Sequence, residues 1–191
     1  LDPVDVSTKA WDALVDAINQ AQGGDLVEPD YPEVVRAALA ESGLAFGRDD
    51  TAALLEAVYV SGSEAGKLPY PDARPVLDEL RRRGFRLAVI TNRAFGGERF
   101  RADMRDAGLD IEWDVEAVSC EVGYLKPHPY IFEWTLERLA LPAHETLMVG
   151  NSLAQDVAGA QRMGMPAAWR RSPADAEGVV PDYTFGELTE L

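Results

Sequence analysis

A chain of 191 residues, 47% apolar and 27% charged, is long enough to bury one core domain with a small appended unit. Its formal net charge of −15 argues against nucleic acid and anionic membrane surfaces as partners, because both are held by clustered Lys and Arg. Cys120 is the only cysteine, which excludes an intrachain disulfide. No run reaches the ~18 apolar residues of a membrane span. No signal-peptide pattern opens the chain, so the cytoplasm is the expected location. A small anionic ligand would need positive charge supplied locally, by one or two side chains or a metal ion.

From Ser7 to about Ala65 the apolar spacing is helical. Trp11, Leu14, Val15 and Ile18 recur at helical intervals behind Ser7, a candidate cap, and Gly23 and Gly24 end the run. Trp11 is expected to pack in the core of this unit, with substrate contact as the lesser alternative. A second helix takes Pro32 in its first turn and carries Val34, Val35, Ala38 and Leu39 before Gly43. A third follows Asp49 and Asp50, with Leu54, Leu55, Val58 and Tyr59 on its apolar positions. No strand pattern interrupts this stretch.

After Pro71 the pattern changes. A helix over 73–83, apolar at Val76, Leu77 and Leu80, leads through Gly84 to a short buried strand over 86–90. A helix near 98–107 precedes a strand over 115–119. Residues 129–139 read as helix, 146–149 as strand, 153–163 as helix and 166–169 as strand. Strands alternating with helices predict an α/β fold, a parallel sheet covered on both faces. Ligands bind such sheets beyond the carboxyl ends of the strands.

The first of these ends carries Thr91 and Asn92. A hydroxyl and an amide can hydrogen-bond an anionic oxygen without carrying charge, and both are equally common as turn and cap residues. Arg93 follows and is expected to be solvated. The next end carries Lys126. Lysine stands only at positions 9, 67 and 126, and arginine carries the remaining cationic charge. A compact ammonium suits a phosphate or a carboxylate. Pro127 restricts the backbone of Lys126, and Pro129 suits a first helical turn. Cys120, just upstream, is expected to pack as a small hydrophobe.

The third end carries Gly150, Asn151, Ser152 and, five residues after Asn151, Asp156. A serine nucleophile on a G-x-S-x-G elbow would need an acid and then a histidine downstream, yet His128 and His144 both precede Ser152. That reading is set aside. Asp156 offers a hard carboxylate and Asn151 a carbonyl oxygen, the donors Mg²⁺ takes, while Gly150 permits close backbone approach. An early-turn aspartate that favours the helix dipole is the plainer alternative for Asp156. Gly62 to Lys67 is one residue short of a P-loop and has Leu68 where Ser or Thr is required.

Taken together, Ile90-Thr-Asn92, Ser119 to Phe132 and Val149 to Ala160 resemble the haloacid dehalogenase (HAD) hydrolase superfamily, in its phosphatase-type branch with an alpha-helical cap. The resemblance runs from residue 69 to the carboxyl terminus, with Pro69 to Leu77 as lead-in and Pro181, Asp182 and Tyr183 as a last strand. It implies a Rossmann-like core over 69–191 and an all-helical cap over 1–68. It also implies that Thr91 and Asn92 bind phosphate, that Lys126 steadies nucleophile and phosphoryl group, and that Asn151 and Asp156 lie at a Mg²⁺ site. The implied activity is that of a Mg²⁺-dependent phosphatase working through an aspartyl-phosphate on a small phosphorylated metabolite.

Two departures stand out. Asn151 occupies a position where the family more often has Asp. No D-x-D-G-T-like nucleophile turn exists, and the nearest acidic residues, Asp2 and Asp5, are not followed by Gly-Thr. Leu1, Asp2 and Pro3 resemble the residues just after such a turn. A short preceding segment, holding the first strand and the nucleophile, is therefore expected, and the 191-residue chain by itself is expected to be inactive. Two alternatives stay open: a non-catalytic relative that binds a small anion or a partner, and a haloacid dehalogenase, which uses an aspartate nucleophile without metal.

Overall fold

The computed structural model describes residues 3–171 and 178–191; Leu1 and Asp2 lie outside the described residues. Helices α1 (Pro3–Gly23), α2 (Tyr31–Glu41) and α3 (Arg48–Ala57) come first. Helix α1 begins a turn before Ser7, whose hydroxyl donates to the Val4 carbonyl at 3.0 Å from inside the helix. Pro3 explains the earlier start, since proline at a first helical position has no N–H to satisfy and a preset φ. Asp30 caps α2 by accepting the Glu33 N–H at 3.2 Å, and Pro32 sits in the first turn as its sequence position predicts.

Val35, Leu39 and Leu55 are buried together, with Val6, Ala10, Leu14 and Ile18 of α1 packed against them. Those four α1 residues are spaced by four, so their stripe leaves Trp11 and Val15 on its flank. Trp11 is accordingly 66% exposed rather than packed in a core. Phe95, from the loop after the first strand, completes this cluster.

Next come α4 (Ala73–Arg82), β1 (Ala88–Thr91), α5 (Gly97–Asp106), β2 (Val115–Val118), α6 (Ser119–Val122) and α7 (Pro129–Leu139). Strand β3 (Met148–Gly150) is followed by a π-helical turn over Leu153–Val157 that continues into α8 (Ala158–Arg162). Strands β4 (Ala167–Arg170) and β5 (Tyr183–Phe185) close the order. Among the described residues every strand pairing is parallel, as the alternation predicts: β1 with β2, β3 with β4 and β4 with β5. The hydrogen-bonded sheet falls into two pieces, β1-β2 and β3-β4-β5.

A shared core bridges the two pieces. Ala117 of β2, Ile131 and Phe132 of α7, Val157 and Ala167 are all fully buried in it. Each large apolar side chain there contributes about 1.5–3 kcal/mol by leaving water. The segment between α1 and α2 is tied to the loop that carries Lys126. Glu28 N–H donates to the Gly123 carbonyl at 3.0 Å and Leu125 N–H to the Leu26 carbonyl at 2.8 Å, an antiparallel bridge. Among the described residues no helix is long and apolar enough to cross a membrane.

Candidate active site

The three strand-end signals converge. Asn92, one residue past β1, clamps the backbone of Lys126: its Oδ1 accepts the Lys126 N–H at 2.7 Å and its Nδ2 donates to the Lys126 carbonyl at 3.1 Å. Lys126 follows α6, which ends on Gly123 in the left-handed region at φ 89°. The buried Leu125 anchors the loop from one side. On the other, Tyr124 stacks on His128 with ring centroids 4.1 Å apart. His128 caps α7, its Nδ1 accepting the Tyr130 N–H at 3.1 Å.

So held, Lys126 Nζ lies 2.6 Å from Asp156 Oδ1, with side chains only 11% and 6% exposed. The other carboxylate oxygen accepts the Ser152 N–H at 3.0 Å. Ser152 Oγ caps the π-helical turn by accepting the Gln155 N–H at 3.1 Å. Gly150 lies directly under the carboxylate: a Cβ there would stand 2.3 Å from Asp156 Oδ2 and 2.4 Å from its Cγ. The close approach expected of Gly150 is therefore made to Asp156 itself. Asn151 is exposed, and its carbonyl accepts from Trp169 Nε1 at 3.2 Å. Thr91 and Asn92, both half-buried, line a cavity of about 560 Å³ that opens towards the first helices.

Arg93 departs from its expected solvation. Its guanidinium pairs with the buried Asp103 of α5 and donates to the Tyr59 hydroxyl at 2.7 Å, while that hydroxyl hydrogen-bonds the same carboxylate. Burial, seconded by the Asp103 hydrogen bond, raises the Tyr59 phenol. This triad was missed in the sequence, although a signal exists. Asp103 stands with Phe100, Met104 and Ala107 at the helical spacing of an apolar stripe, where an unpaired carboxylate would be costly.

Two further groups adjoin the site. Cys120 is half-buried, and burial, with the negative charges of Glu28 and Glu121, pushes its thiol up to about 11. Burial likewise raises the Glu28 carboxyl; Tyr31 donates to its Oε1 at 2.7 Å, and its Oε2 is buried without a hydrogen-bond partner.

The donors suit Mg²⁺ as a partial shell. That ion commonly takes one or two carboxylates and completes itself with waters and phosphate oxygens, and the Asp156 oxygens each retain a lone pair after their hydrogen bonds. Among the described residues no three His, Cys, Asp or Glu side chains gather into a metal cluster.

A parallel α/β fold with a lysine-neutralised carboxylate and neutral hydrogen-bonding groups beyond its strands has the layout of a Rossmann-like hydrolase that handles an anionic group. The model of the haloacid dehalogenase-like hydrolases matches residues 2–164, and the chain belongs to that family. A phosphoserine phosphatase of Thermus thermophilus is 35% identical over 167 residues, 85% of this chain and 64% of that protein. A glyceraldehyde 3-phosphate phosphatase of Pyrococcus abyssi is 37% identical over 101 residues, 52% of this chain and 41% of its own length. The chain thus spans less than two thirds of either curated relative. Among solved structures, a HAD phosphatase from Thermococcus onnurineus superposes with a TM-score of 0.61 at 28% identity, over 97% of this chain and 84% of that one.

Proposed function

We propose that the protein is a Mg²⁺-assisted phosphatase acting on a small phosphorylated metabolite in the cytoplasm, with residues 1–68 as a cap over a core of 69–191. The observation that carries this reading is the Lys126–Asp156 pair at 2.6 Å, positioned by Asn92 after β1 and Ser152 after β3. The relatives' names support it, since both curated proteins are phosphatases.

In this reading Thr91 donates its hydroxyl to a phosphate oxygen. Asn92 has spent one amide hydrogen on the Lys126 carbonyl and uses the second on the same phosphate. The Lys126 ammonium offsets the charge that builds when two anions are pressed together. Asp156 and Asn151 would hold Mg²⁺, which when bound supplies further neutralisation of the phosphoryl oxygens. The reading needs a nucleophilic carboxylate besides the described ones, and a sheet in two separate pieces, β1-β2 and β3-β4-β5, is compatible with one more strand. Asp5 does not suit that role, being exposed on α1.

Phosphate release from a panel of phosphate esters, by the protein purified from its natural source, tests the reading. Turnover in Mg²⁺ that falls to background in Asp156→Ala and in Lys126→Ala is the expected result. Chloride release from a 2-haloacid without phosphate release would favour the dehalogenase alternative. Binding of inorganic phosphate without any turnover would favour the non-catalytic one. The metal assignment has its own readout: Mg²⁺ should raise the melting temperature of the unmodified protein and leave that of Asp156→Ala unmoved.

A further inference from the structure

The cavity that begins at Thr91 and Asn92 has a wall unlike its floor. Trp11, Val15 and Ile18 of α1, Tyr59 and Val60 beyond α3, and Phe95 after β1 all line it. Trp11, Val15 and Val60 are among the exposed large apolar side chains of the molecule, at 66%, 38% and 59%. An apolar wall left wet gains by being covered. The described residues that line this cavity include no carboxylate, and their only charged side chains are Arg93 and Lys67. Arg93 is committed to Asp103 and Tyr59. A ligand bearing an ammonium would find no counter-charge along this wall.

Resting on the phosphatase reading, we propose that the substrates are phosphate monoesters with an apolar, ring-bearing leaving group. Trp11, Tyr59 and Phe95 receive the ring, while Thr91 and Asn92 face the phosphate. Aromatic side chains suit such a ring by offset or edge-on packing, and Tyr59 and Phe95 already stand edge-on at 4.6 Å. In the net reaction the phosphorus–oxygen bond to the leaving group breaks. One water supplies the new oxygen on phosphorus and the proton on the departing alcohol.

The test compares 2-phenylethyl phosphate, phosphoserine and glyceraldehyde 3-phosphate on the protein from its natural source. All three are esters of primary alcohols, so intrinsic leaving-group reactivity differs little. The proposal expects kcat/KM for 2-phenylethyl phosphate to exceed the other two by about tenfold or more, as a filled apolar pocket provides. Trp11→Ala should shrink that ratio several-fold, chiefly through KM for the ring-bearing ester, and Trp11→Phe should restore most of it. Trp11 is exposed on a helix, so neither change threatens the fold, and the three-substrate comparison stands without them. Equal or greater turnover of phosphoserine or glyceraldehyde 3-phosphate overturns the leaving-group assignment and leaves the phosphatase reading intact. No turnover of any ester overturns both.

Discussion

The carboxylate of Asp156 meets an ammonium on one oxygen, a backbone N–H on the other and a glycine beneath. Such a pair is a poor source of net stability, because desolvating two ions offsets much of their attraction; breaking one side is what costs. Lys126→Met should therefore destabilise the fold by about 3–5 kcal/mol, with the double variant Lys126→Met/Asp156→Leu well short of the sum of the singles. Urea unfolding of the three variants measures this, and additive losses would show that the two side chains do not act as a pair. Cys120 supplies a second prediction. Its thiol rises from an ordinary 9.0 to about 11, so the stabilising contribution is complete below pH 9 and is lost as pH climbs through about 11. At pH 8 the two-unit rise reduces the thiolate about a hundredfold. Thiol–disulfide exchange with an aromatic disulfide reagent should be correspondingly slow in the native protein and recover in urea. Rapid native reaction would contradict the burial of this thiol.

At the scale of elements, the turn from β3 into α8 is the part of the site with least freedom. Ser152 carbonyl accepts from both Asp156 N at 2.9 Å and Val157 N at 3.2 Å, the widened turn that brings Asp156 over Gly150. Gly150→Ala would force a methyl into the carboxylate and should cost about 1–3 kcal/mol, the usual range for overpacking. Thermal unfolding checks it, and an unchanged melting temperature would mean that the turn yields freely. Thr91 at the end of β1 and Gly150 at the end of β3 were legible because small polar residues or glycine after short apolar runs are a local signal, whereas α6 separates Lys126 from the strand end it was expected to occupy. The π-helical turn was not, since residues 153–163 show ordinary helical periodicity and the widening comes from a tertiary demand on Asp156. The position of Trp11 failed for a related reason: several apolar residues on one helix compete for a stripe, and only packing against α2 and α3 selects the 6, 10, 14, 18 row. Tyr59, Arg93 and Asp103 meet across 44 residues of sequence, a separation that no local pattern encodes.

Across the whole molecule, several contacts join the first three helices to the α/β half, the Arg99–Glu56 pair at 2.7 Å among them, and two of these ties adjoin the site. The first is the bridge through Glu28 N–H and Leu125 N–H; the second is the Tyr59 hydroxyl on Asp103 and Arg93. If the helical half opens as a unit, both bridge amides must exchange through that one opening. Its free energy should then lie below that of the β2 amides, which need the shared core to break. Tyr59→Phe removes a hydrogen bond to a charged group and keeps the ring against Phe95, so it should lower the opening free energy by about 1–2 kcal/mol. Native-state hydrogen exchange would then show Glu28 and Leu125 accelerated by the same factor, with Ala117 and Val118 unchanged. Unequal acceleration of the two amides would reduce the bridge to local fraying. Acceleration at β2 as well would mean that helices and sheet unfold as a single cooperative body, leaving no separate motion by which the apolar wall could close over a substrate.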